Sequence, residues 1–185
     1  MRTHLLSFLL LLLLASQATA QSSNKKAQKL FEKGQKAMSK YLYIQATVDF
    51  TNAIAFDPDF AEAYFQRGLS FLAIERFDAG IKDLKRTIEK DPSKIMAYLE
   101  LMNQYRNKSD YDQALAALDQ LGEAMPAYVG VMHYQKGACY EAMKEKDKAI
   151  AAYKKAIETL DPKVDARMEE LVKLAKEGIT YLEKN

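Results

Sequence analysis

Few residues in this 185-residue chain carry side chains suited to proton transfer, nucleophilic attack or metal binding. They are two histidines, one cysteine and the carboxylates. His4 sits in the apolar N-terminal stretch, which leaves His133 as the single histidine of the rest. No second His, Cys or carboxylate accompanies it at metal-ligand spacing, and a lone imidazole has no partner to orient it as a base. Cys139 lies between Ala138 and Tyr140 in an apolar helical stretch, where a thiol behaves as a small buried hydrophobe. One cysteine forms neither an internal disulfide nor a cysteine-based zinc site. The seven glycines are spread along the chain without clustering, so no phosphate-cradling loop is present. No serine occupies a nucleophile-elbow context. The carboxylates Glu62, Glu75, Asp83 and Glu89 are expected on solvent faces of helices. The expectation is a non-enzymatic protein without cofactor or metal.

Charge narrows the partners. The 27 Lys and Arg nearly balance 25 Asp and Glu, a net of +2. That balance removes the electrostatic reason to expect nucleic acid. With 49% apolar and 28% charged residues, the chain is neither a disordered tail nor a polytopic membrane protein. Residues 1–20 have the form of a secretory leader: Arg2, an apolar run over residues 5–15, then Ala18-Thr19-Ala20. The run is about half of the ~20 residues a spanning helix needs, so cleavage before Gln21 is expected, with no transmembrane span in the mature chain. No cysteine follows the run to carry a lipid. The protein is expected to be exported: periplasmic or outer-membrane-associated in a bacterium, lumenal or extracellular in a eukaryote. Asn107-Lys108-Ser109 matches the acceptor pattern for glycosylation, which has meaning in a eukaryotic source alone.

The four prolines, Pro58, Pro92, Pro126 and Pro162, are 34, 34 and 36 residues apart. Between them other residues recur in phase. The eighth position of each unit holds Gly34, Gly68, Met102 and Gly137; the twentieth holds Ala46, Gly80, Ala114 and Ala149. Phe50, Leu84, Leu118 and Tyr153 follow four later. Small residues at positions 8 and 20 let two helices approach, and large ones beside them fill the space. Apolar spacing of three and four marks amphipathic helices. Asp57-Pro58, Asp91-Pro92 and Asp161-Pro162 end one helix pair and start the next, because proline cannot continue a helix and biases the residue before it. Helices are expected over 25–40, 43–56, 60–73, 77–90, 94–107, 111–124, 129–143, 147–160 and 164–183.

These residues, over 27–162, resemble the tetratricopeptide repeat, a 34-residue helix–turn–helix unit. The match is densest at Asp110-Tyr111-Asp112-Gln113-Ala114 and over 149–157. The resemblance implies an all-α, right-handed solenoid. Its parts would be a lead-in of 21–26, repeats over 27–60, 61–94, 95–128 and 129–163, and a capping helix in 164–185. It implies a concave groove lined by the first helix of each unit: Phe31, Gln35 and Met38; Phe65, Gln66 and Leu69; Leu99, Asn103 and Arg106; Tyr134 and Gln135. Within it Phe31, Phe65, Leu99 and Tyr134 would form an apolar ladder flanked by amides, suited to an extended or helical peptide.

The function implied is an exported interaction scaffold that holds a protein or peptide ligand. The alternative is a structural module of a larger envelope complex, since leader and repeats are similar to the front end of outer-membrane-associated proteins with OmpA-like C-terminal domains. Some tetratricopeptide domains grip a chaperone's C-terminal carboxylate through basic side chains. The matching positions here are Phe31, Gln35, Gln66, Met96 and Glu100, none of them basic, so that activity is not expected.

Overall fold

The computed structural model describes residues 22–161 and 167–184. The leader, the cleavage point before Gln21 and Pro162 lie outside the described residues. Among those described there are helices and no strand: α1 (Lys25–Met38), α2 (Tyr43–Phe56), α3 (Ala61–Ala73), α4 (Phe77–Lys90), α5 (Ile95–Asn107), α6 (Tyr111–Ala124), α7 (Val129–Ala142), α8 (Lys146–Thr159) and α9 (Met168–Lys184). A short 3₁₀ turn, Pro126–Tyr128, precedes α7 and takes up the extra residue of the fourth unit. The chain falls into two compact units, residues 1–97 and 98–185. In the first, α1 pairs with α2 and α3 with α4, and α2 also packs on α3. In the second, α7 pairs with α8, α6 lies against α7, and α9 packs chiefly on α8. The terminal α9 thus covers the last hairpin as the spacing predicts.

The hairpins turn by one recurring device. Tyr41, Glu75, Ser109 and Lys144 have φ near +60° although none is glycine. Each lies just beyond the end of a first helix. The next residue then donates its N–H back across the turn: Leu42 to Ala37, Arg76 to Phe71, Asp110 to Tyr105, Glu145 to Tyr140, at 2.8 to 3.0 Å. This six-to-one bond satisfies a helix-end carbonyl and requires a left-handed residue before it. It stops α1 at Met38, two residues short of the expected end. At the other end of each unit Asp57, Asp91 and Met125 are extended, with φ near −140°, as the residue before a proline must be.

Close approach within a hairpin depends on missing side chains. A Cβ on Gly34 would lie 2.6 Å from the Phe50 ring, and one on Gly137 would lie 2.5 Å from that of Tyr153. Phe31 packs on both Phe50 and Phe60, with centroids 5.5 and 4.7 Å apart. Around them Ala27, Ala37, Ala46, Ala53 and Ala63 complete the core of the first hairpin.

Two of the carboxylates expected in solvent are buried. Asp83 is 4% exposed and Glu62 5%. Both are ion-paired: Glu62 meets Lys94, and the pair that buries Asp83 repeats with the fold. The Lys33 ammonium meets Asp49 at 2.8 Å, and the Arg67 guanidinium grips both oxygens of Asp83 at 2.7 and 2.8 Å. In each pair the cation is on the first helix at position 7 and the acid on the second at position 23. In the third unit the same positions hold Leu101 and Ala117, both buried. Glu75 is exposed, but in the turn rather than on a helix, and Glu89 is exposed beside Arg86.

A buried carboxylate deprived of its cation is costly, whereas an apolar pair of suitable volume is not. Arg67→Leu is expected to lower stability by about 3 kcal/mol. Adding Asp83→Ala, which copies the third unit, is expected to recover most of that loss in urea unfolding.

Candidate functional site

The inner-face candidates come from the first helices of the hairpins, and each unit is taken separately. In the first unit, α1 carries Phe31, Gln35 and Met38, and α3 carries Phe65, Gln66 and Leu69. Phe31 and Phe65 are buried. Phe31 is enclosed by Phe50 and Phe60, so the first rung of the expected ladder packs inside its own hairpin. Phe65 lies under the Lys94 ammonium, 5.0 Å from its ring centroid. Lys94 Nζ also donates to Glu62 Oε2 at 2.5 Å, while Gln66 Nε2 donates to Glu62 Oε1 at 2.8 Å. Both oxygens of the buried carboxylate are therefore occupied, and this part of α3 is a closed polar network. Gln35, Met38 and Leu69 are half-buried and keep accessible edges.

In the second unit, Leu99 and Gln135 are buried, and Asn103, Arg106 and Tyr134 are half-buried. The Tyr134 ring sits 5.7 Å from that of Tyr153, whose hydroxyl donates to Glu141 at 2.9 Å. Burial raises the pKa of both phenols, with Glu141 adding to the effect. Burial likewise pushes the Cys139 thiol up to about 11. Arg106 acts in the opposite sense on Tyr134 and on Cys139, which places its positive charge close to both. Its Nη1 is buried with no hydrogen-bond partner among the described residues.

A guanidinium N–H without an acceptor is costly, and a turn of the half-buried side chain that brings Nη1 to an arriving oxygen would relieve that cost. Arg106 is therefore the candidate residue with most to gain from a partner. Beside it, Asn103 offers an amide and Tyr134 an aromatic edge. The sequence pattern named Arg106 as a candidate; it carried no sign of the unmade bond. It also missed the Glu62–Lys94–Gln66 network, whose Lys94 lies almost one repeat beyond Glu62.

His133 is partly buried, and its pKa is lowered first by burial and then by Lys155 and Lys136. Lys136 itself pairs with Asp119. Among the described residues no group of three or more His, Cys, Asp or Glu is placed to hold a metal ion. No described helix is long and apolar enough to cross a membrane.

Similarity to known proteins agrees with the fold. The family model described as tetratricopeptide repeat matches residues 131–159. No curated protein matches the sequence. Among solved structures, a MamA protein superposes with a TM-score of 0.63 at 24% identity, covering 86% of this chain and 87% of its own. MamA from Desulfovibrio magneticus RS-1, residues 41 to the end, gives 0.62 at 18% identity, with 88% and 96% covered. The first tetratricopeptide domain of Spaghetti (RPAP3), bound to the HSP90 peptide SRMEEVD, gives 0.52 at 20% identity, covering 57% of this chain and 84% of its own.

Cys139 supplies a check on this packing. Its thiol is expected to resist a water-soluble disulfide reagent at pH 8 in the native protein and to react fully in denaturant. Folding raises this pKa, so the associated stability is whole below the unfolded value of 9.0 and is lost as pH rises toward about 11.

Proposed function

We propose that the chain, which folds like tetratricopeptide-repeat proteins and matches that family's model over residues 131–159, is an exported, non-catalytic scaffold that holds a peptide segment of a partner. The observation that carries this reading is Arg106, with its unmade hydrogen bond beside the half-buried Asn103 and Tyr134. A partner segment would bring a main-chain carbonyl or a carboxylate to the guanidinium. Asn103 would pair with the peptide backbone, and the Tyr134 edge would add apolar contact. In the first unit Gln35, Met38 and Leu69 offer the same mixture of amide and apolar surface. Phe31, Phe65, Leu99 and Gln135 would support these side chains from within the core.

The mode of binding differs from capture of an acidic chaperone tail. The RPAP3 domain was solved with SRMEEVD bound, but the positions that grip such a tail hold Phe31, Gln35, Gln66, Met96 and Glu100 here. The peptide SRMEEVD is expected to give no binding heat with this chain. Peptides selected by display against the full chain are expected to lose tenfold or more in affinity for Arg106→Gln, roughly what a hydrogen bond to a charged group contributes. Micromolar binding of SRMEEVD, or selected peptides indifferent to Arg106→Gln, would contradict the proposal.

Export rests on residues 1–20: a basic start, an apolar run too short to span, and Ala18-Thr19-Ala20. N-terminal sequencing of the protein from its native source is expected to begin at Gln21. An intact Met1 would overturn the cleavage.

A further inference from the structure

The four hairpins repeat one backbone, so each acts as a control for the others. Position 15 is the left-handed turn residue: Glu75, Ser109 and Lys144 in the last three units, but Tyr41 in the first. Position 16 is Arg76, Asp110 and Glu145, but Leu42 in the first. Position 18 is Asp78, Asp112 and Asp147, but Ile44 in the first. Three hairpins make the same turn with polar or charged side chains, and the turn therefore does not require apolar ones. In the first hairpin these side chains project into solvent: Tyr41 is 78% exposed, Leu42 54% and Ile44 70%. Val48, one turn along α2 from Ile44, extends the patch. The tyrosine also bears the cost of a left-handed conformation at a bulky residue. Apolar residues kept outside, where the same fold accepts acids, mark a contact surface.

The charge beside the patch identifies what it meets. Residues 25–42 contain six lysines, Lys25, Lys26, Lys29, Lys33, Lys36 and Lys40, against the single acid Glu32. Residues 43–185 contain 24 acidic and 20 basic side chains, so, Arg2 aside, the positive surplus is confined to this stretch. Lys36 and Lys40, which adjoin the tip, are exposed and form no ion pair among the described residues. Lys33 is held by Asp49, and Lys26 lies over the Phe56 ring at 4.0 Å. We propose that the α1–α2 tip docks on an anionic lipid surface. Leu42, Ile44 and the Tyr41 ring enter the interfacial layer, and Lys36 and Lys40 contact lipid phosphates. Tyrosine favours that layer because its ring is apolar and its hydroxyl stays wet. A projecting apolar tip with basic flanks suits shallow insertion better than it suits a peptide, which is held in a groove. The surface lies on α2 and the turn of the first hairpin, involves none of the residues assigned to peptide binding, and does not depend on the scaffold reading.

The chain contains no tryptophan, so Tyr41→Trp in the full chain places one reporter at the tip. With vesicles of phosphatidylcholine and phosphatidylglycerol, its emission should shift to the blue and be quenched by brominated lipid. Ser109→Trp, at the same position of the third unit, should do neither, which separates the tip from any part played by residues 1–20. Lys36→Gln with Lys40→Gln in the Tyr41→Trp chain should weaken the tip's partition roughly thirtyfold, from about 1 kcal/mol per lysine. Ile44→Asp, the residue of the other three hairpins, should abolish the shift while helicity by circular dichroism is unchanged. Three outcomes would overturn the proposal. They are no shift with anionic vesicles, an equal shift with phosphatidylcholine alone or with polyglutamate, and a concentration-dependent shift without vesicles, which would mark a second copy as the occupant.

Discussion

The contact between the two helices of a hairpin is the constraint from which the rest follows. Where the first helix gives up a side chain, the second supplies a ring, as with Gly34 beneath Phe50 and Gly137 beneath Tyr153. In the third unit Met102 takes the glycine's place and Leu118 the ring's, and both are buried. This separation allows the chain to reverse in a few residues, which forces the left-handed turn. It also brings position 7 within reach of position 23, so that Lys33 and Arg67 meet Asp49 and Asp83 across the hairpin.

Much of this was legible because it is periodic. Proline spacing and the small residues at positions 8 and 20 located the helices to within a residue or two at most ends. The polar features were harder to read. Asp83 and Glu62 look like surface acids when each helix is considered alone, because burial depends on a partner elsewhere in the chain. The 16-residue spacing of Lys33 to Asp49 recurs in Arg67 to Asp83 and was a usable signal. The left-handed turns were hidden because none of the four positions is glycine, the residue that ordinarily marks such a conformation.

The groove candidates show a similar division. They were named by position in the repeat, and which of them keep exposed surface was not legible there. Phe31, Phe65 and Leu99 are buried and hold their own units together, whereas Arg106, Asn103 and Tyr134 keep surface and hydrogen-bonding capacity. Affinity on such a face would come less from an apolar ladder than from polar groups backed by a rigid core. Arg106 suits that role because its charge sits among groups that are already desolvated, where a hydrogen bond is stronger than in water.

The most direct test of partner binding at this site is a photo-crosslinking residue in place of Asn103, one helical turn from Arg106, in the protein expressed in its native source. A discrete adduct is expected, in which one segment of one partner is joined at residue 103, and it should be lost when Arg106→Gln is added. Absence of an adduct at residue 103, or an adduct that persists unchanged with Arg106→Gln, would contradict partner binding at this site.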